Sequence, residues 1–145
     1  MNPFETVEPA TRRALEDLLT EFARLVDTGM ADQVHTLFTE QGSITGPGLA
    51  MHSRAEIAQV FGERAKNKAR VSRHLWSNPR FERLDDRTVR VTTVVQTFVH
   101  TLGEAESLPA PAGSFVIGDS IDVMEQGEDG VWRFRARELV VIFRA

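Results

Sequence analysis

Residues 72–81 read SRHLWSNPRF, placing an imidazole, an indole and a carboxamide at alternate positions: His74, Trp76 and Asn78. An imidazole ionises near pH of about 6.5, so the neutral ring accepts a proton under ordinary conditions and can serve as a general base. In an extended chain Ser72, His74, Trp76 and Asn78 share one face, and Val71, Arg73, Leu75 and Ser77 share the other. If the first face is concave, Trp76 walls a pocket and Asn78 offers a hydrogen bond there. If Val71 and Leu75 mark the core side, His74 is solvated.

Other side chains could line the same space. In QTFVH, His100 shares parity with Gln96 and Phe98; it reads either as a second acid or base in the cavity or as an exposed residue near a strand end. Phe98 and Phe115 are candidate pocket walls. Asp119 and Asp122, in FVIGDSID, have opposite strand parity, so only one of them can face a pocket. Arg137 reads either as an anchor for an anionic substrate or as half of a structural ion pair with a neighbouring carboxylate, and its parity with Arg133 and Arg135 favours the outer face. No metal site is expected, because the four histidines show no HExxH-type spacing. The GPG at 46–48 lacks the lysine of a phosphate loop, no nucleophilic triad is visible, and no cofactor is expected.

These candidates must be positioned by regular elements. Leu15, Leu18, Leu19, Phe22, Leu25 and Val26 recur at steps of three and four, predicting a helix over about 9–28, with Pro9 near its start and Gly29 past its end. A short helix follows at about 31–38. Gly42, Gly46, Pro47 and Gly48 break the next stretch, leaving room for a short strand around 43–45. Ser53 and Glu56 form a capping-box pattern that opens a helix over about 54–66. From residue 70 the period changes to two, and four long strands are expected at about 70–84, 87–102, 113–126 and 131–144. Helices first and antiparallel strands last define an α+β domain with helices on one face of a curved sheet. The concavity between the layers is a natural small-molecule site.

Composition agrees with one globular domain over 1–145: 41% of residues are hydrophobic and 26% charged, within the range of chains that bury a core. A net charge of −4 with scattered Lys and Arg argues against nucleic-acid binding, which needs a continuous positive footprint. No apolar run approaches the length of a membrane span and no basic leader opens the chain, so no membrane association and a cytoplasmic location are expected. The absence of cysteine excludes disulfides and thiolate chemistry. Leu139, Val140, Val141, Ile142 and Phe143 are apolar on both parities, which predicts a homodimer covering the outer face of the sheet.

Four segments in order, FARLVD at 22–27, LFTEQGSI at 37–44, SRHLWSN at 72–78 and DGVWRFRAR at 129–137, resemble those of the SnoaL-like family of the nuclear-transport-factor-2-like superfamily. The resemblance spans nearly the whole chain. It implies a cone-shaped α+β barrel with about three N-terminal helices packed on a strongly curved, mainly antiparallel sheet. Within the superfamily, the scytalone dehydratase and dehydrochlorinase types use a helix-terminal aspartate and a histidine from the first long strand as a base dyad. The matching residues are Asp27, in LVD, and His74, in RHLW. Asp27 would hold one ring nitrogen while the other abstracts a proton, with Trp76, Asn78, Phe98, His100, Phe115 and Asp122 around a small hydrophobic substrate. The implied activity is that of a cofactor-independent lyase or isomerase. The alternative is a non-catalytic binding or assembly module, as in the dioxygenase small subunits that the WRFRAREL ending resembles.

Three features depart from that pattern. The chain has no tyrosine to polarise a carbonyl. Gln41 stands where an acidic residue is common. On an ideal helix, Asp27 falls at roughly 140° from Phe22, away from the centre of the apolar stripe.

Overall fold

The computed structural model describes residues 6–145. Helix α1, Pro9–Asp27, starts with proline where a missing N–H costs no hydrogen bond. It buries Leu15, Leu18, Leu19, Leu25 and Val26 on one stripe, and ends where the Thr28 N–H reaches the Arg24 carbonyl. Gly29 then takes φ 79°, a left-handed conformation that turns the chain into a short 3-10 helix, Ala31–Leu37.

Strand β1, Phe38–Gly46, is longer than the 43–45 segment expected. Its first half pairs irregularly with the last strand, so Thr39–Gln41 lack the apolar alternation that announces a strand. Pro47–Gly48, with Gly48 at φ 72°, folds the chain back into β2, Leu49–Met51, rather than simply breaking it. Helix α2, Arg54–Lys66, opens on Ser53, whose hydroxyl accepts the Glu56 N–H. The Glu56 carboxylate reaches back to the N–H of His52, one residue beyond the usual capping-box partner.

Four long strands follow: β3, Arg70–Arg83; β4, Thr88–Thr101; β5, Ser114–Gln126; and β6, Trp132–Arg144. They form one sheet in the order β2-β1-β6-β5-β4-β3, antiparallel except for the β1–β6 pair. The sheet is open, with β2 and β3 at its edges, and the helices lie against its concave face: an α+β cone. The core gathers Phe38, Phe134, Leu15, Ile57, Val34, Val89 and Val91, all fully buried. Among the described residues, no helix is long and apolar enough to cross a membrane.

Curvature comes from breaks in register. Pairing slips between Ser77 and Arg80 on β3, and at two points between β5 and β6. Each slip adds a residue to one strand, sharpens the twist and reverses which parity faces inward. At the β5–β6 slip between Ile117 and Gly118, Gly118 meets β6 backbone so closely that a Cβ would overlap the Val140 carbonyl oxygen. Gly118→Ala should therefore lower unfolding stability by about 1–3 kcal/mol, as overpacking does, in a urea titration followed by circular dichroism.

Candidate functional site

Cross-strand partners share a face of a sheet, so the register assigns every strand from a single residue. His74 pairs with Thr97, Thr97 with Val116, Trp76 with Val95, and Val95 with Gly118. That face is the concave one. It lines a cavity of about 230 Å³ closed by Leu19 and Phe22 of α1 and Phe61 of α2. His74 and Trp76 thus face inward, and the Trp76 indole N–H donates to Thr20 Oγ1 at 3.3 Å.

Asp27, at the last position of α1, meets β3 from the side. Its Oδ1 accepts the Ser72 hydroxyl at 2.8 Å and pairs with His74 Nδ1 at 2.7 Å, while Oδ2 accepts the His74 backbone N–H at 2.8 Å. The helix-wheel objection dissolves because α1 packs against β3 as well as the central sheet. An off-stripe residue at the end of α1 points at that edge strand rather than at water. The Asp27 side chain is 9% exposed and that of His74 24%.

Burial works against the Asp27 carboxylate, but the hydrogen bonds and charge of His74 and the Ser72 hydroxyl outweigh it, holding its pKa below the ordinary value. An ionised carboxylate only accepts, so Nδ1 must carry the proton it donates. In the neutral ring Nε2 is then the unprotonated nitrogen, and among the described residues it has no hydrogen-bond partner. The pair and its free lone pair are the geometry of a general base with a positioning carboxylate.

A second polar cluster reaches the same cavity through Arg137. Arg137 Nε donates to Asp122 Oδ1 at 2.8 Å, and Nη2 reaches Asp122 Oδ2 and Ser120 Oγ, each at 3.2 Å. Ser120 in turn donates to Asp122 Oδ1 at 3.0 Å. The guanidinium carbon also lies 4.3 and 4.5 Å from the ring centroids of Phe22 and Phe134, which meet each other edge-on. Burial raises the Asp122 pKa, opposed by Arg137 and Ser120.

Several sequence expectations need correction. Arg137 does not sit on the outer face: the slip between Val123 and Met124 accommodates an extra β6 residue, so Phe134 and Arg137 both point inward despite opposite parity. Of the two β5 aspartates, Asp122 is the inward one, yet it is fully buried beneath Arg137 and does not line the cavity. Asn78 is exposed. It adopts φ 53° at the β3 slip, a left-handed position that asparagine tolerates better than most residues, and it offers the cavity no hydrogen bond.

Phe98, His100 and Phe115 occupy the convex face. Phe98 pairs directly with Phe115, their rings 5.9 Å apart, and His100 Nε2 bonds Glu106 at 2.9 Å. Their parity is opposite to that of Thr97 and Val116, and no single-strand pattern reveals which parity of β4 or β5 matches His74. Cavity residues that had not been singled out include Thr97, Ser120, Arg64 and Arg70. Knowing the β3–β4 register would have found the first. Among the described residues, no three His, Asp or Glu side chains gather in a group able to hold a metal ion.

The SnoaL-like domain model matches residues 8–138, so the chain belongs to the SnoaL-like family. Its fold is shared by a provisional scytalone dehydratase from Novosphingobium aromaticivorans DSM 12444, with a TM-score of 0.79 and 19% identity over 94% of this chain and 87% of that one. A type 2 hexachlorocyclohexane dehydrochlorinase superposes with a TM-score of 0.76 and 16% identity, covering 94% and 88% of the two chains. ActVI-ORFA from Streptomyces coelicolor gives 0.74 and 19%, covering 91% and 97%. No curated protein matches by sequence.

The lowered Asp27 pKa sets a pH dependence. A carboxylate with a depressed folded-state pKa contributes stability that is complete above its ordinary value near 3.8 and fades as pH falls through the lowered one. Between pH of about 4 and 2, urea denaturation should therefore show a shallower loss of stability in Asp27→Asn than in the wild type.

Proposed function

We propose that this protein is a cofactor-independent lyase or isomerase acting on a small, largely apolar molecule. His74 is the general base and Asp27 its positioning partner. The observation that carries this reading is the 2.7 Å Asp27–His74 bond, which leaves Nε2 free inside an apolar cavity. Likeness to the scytalone dehydratase and dehydrochlorinase structures supports the reaction class.

In the proposed step, Nε2 takes a proton from a substrate carbon next to an electron-withdrawing group. The C–H electron pair becomes a carbon–carbon double bond, either forming an enolate or expelling a leaving group with its own electrons. Nε2–H then returns the proton, to a different carbon in an isomerisation or to departing hydroxide in a dehydration. The Asp27 carboxylate stabilises the transient imidazolium and keeps the ring oriented. Thr97, the cross-strand neighbour of His74, and Arg137 both line the cavity and are able to donate to a developing oxyanion, which answers the lack of tyrosine.

The test is deuterium uptake from D2O at the α-carbon of 1- and 2-tetralone, followed by NMR. Wild type should accelerate exchange, and His74→Gln should lose about 10²–10⁴-fold, as removal of a general base does. Asp27→Asn should lose less, retaining an imidazole without its partner. A His74→Gln protein as fast as the wild type would overturn the assignment. Tetralone binding without any exchange would favour the alternative of a binding module.

Association belongs to the same proposal. Leu75, Gln96, Ile117 and Phe143 are successive cross-strand neighbours on the convex face, and Phe143 remains 63% exposed, beside exposed Val140 and Ile142. Apolar side chains on three of these four strands, with Gln96 between them, form a patch suited to a second copy of the same sheet. Sedimentation equilibrium should give the mass of two chains, and Phe143→Glu should shift it to one.

A further inference from the structure

The cavity is apolar over most of its wall, yet it contains more positive charge than its carboxylates neutralise. Arg137 is matched by Asp122. Arg64, in the last turn of α2, and Arg70, the first residue of β3, also line the cavity, and both extend into an adjoining polar recess where Asp27, Asn67 and Lys68 lie. Among the described residues, neither side chain has an ion pair or a hydrogen bond. The Arg64 guanidinium lies over the Phe61 ring, 4.5 Å from its centroid.

Such an arrangement is costly. Burial lowers the pKa of Arg64, and the charge of Arg70 adds to the effect; burial lowers that of Arg70 too, with Asp27 offsetting part of it. A guanidinium does not lose its proton in this range, so the cost remains as repulsion and incomplete solvation. Asp27 offsets part of the Arg70 charge but hydrogen-bonds Ser72 and His74 rather than either arginine, and a single carboxylate cannot balance both. The whole chain carries −4, so the positive surplus is a local property of this cavity, not a reflection of overall charge. Ordinary surface arginines are fully solvated; these two are half-buried beside phenylalanine, leucine and histidine.

We infer that the substrate bears an anionic oxygen group, a carboxylate in the simplest case, which Arg64 and Arg70 hold at one end of the cavity while its apolar body lies along Trp76, Leu19 and Val95 beside His74. This deepens the lyase or isomerase reading and rests on it, because it takes the His74 cavity as the substrate site. A carboxylate offers two oxygens to two guanidinium forks, and the repulsion between the arginines turns into attraction for the ligand. The arrangement also orients the molecule, since a charge fixed at one end determines which carbon approaches Nε2.

The test compares 2-naphthoate with 2-naphthamide, which match in shape and differ in charge, by calorimetry and by the ring signals of His74 in NMR. Wild type should bind the acid about tenfold or more tightly than the amide, the scale of a charge-assisted hydrogen bond. Arg64→Gln and Arg70→Gln should each weaken acid binding, the double variant should abolish the preference, and amide affinity should stay within about twofold because no charged contact is lost. Lysine at either position should restore part of the preference by returning the charge.

Equal affinity for acid and amide in the wild type, or a preference that survives the double variant, would overturn the inference. So would failure of both probes to bind. If the amide perturbs His74 without any preference for the acid, only the arginine assignment falls and the cavity reading stands. If the acid binds through the arginines but leaves His74 signals unmoved, the anion site lies outside the substrate cavity, and both fall.

Discussion

The three hydrogen bonds accepted by Asp27 hold the site together. One carboxylate at the end of α1 binds the hydroxyl, the backbone and the imidazole of two residues on β3, and so locks the helix to the edge strand and the ring to a single tautomer. The bonds to Ser72 and to the His74 backbone would survive without an imidazole; they are the scaffold. The third bond adds chemistry to that scaffold, because a carboxylate already anchored at both oxygens cannot rotate away from the ring. Pre-positioning of this kind removes the orientational cost from a proton transfer.

The Arg137 cluster is built on a different balance. Arg137 is largely shielded from water, which is tolerable because Asp122 and Ser120 satisfy the inner edge of its guanidinium and two phenylalanine rings pack against it. Phe22, Phe38, Phe61 and Phe134 meet edge-on or tilted around it, with centroid separations of 5.1 to 6.3 Å, so the aromatic core and the charged floor are one packing unit. Removing either partner of such a buried pair leaves the other charge uncompensated, which is why the group is best read as architecture that also exposes a cationic edge to the cavity.

Much of this was legible from residue order. The leucine stripe of α1, the Ser53 cap and the four alternating strands appear within one or two residues of their expected limits, because each depends on neighbours only a few positions apart. The Asp27–His74 pair was legible only through resemblance, since an ideal helix turns Asp27 away from the core stripe. Phe98, His100 and Phe115 were misplaced for the converse reason: each lies on a clearly alternating strand, but alternation says nothing about which parity is inward.

The sequence by itself determined the secondary structure and the α+β layering, both consequences of local periodicity, and it left open which of its histidines faces a cavity. Tertiary structure alone decided which side chains share the cavity. Strand register is a long-range property, and each slip in it reverses the inward parity beyond that point, so that Arg137 enters the cavity and Asn78 leaves it although both sit in regular sequence patterns. The unmatched arginines at positions 64 and 70 were likewise invisible, because whether a charge has a partner depends on which distant carboxylates the fold brings near it.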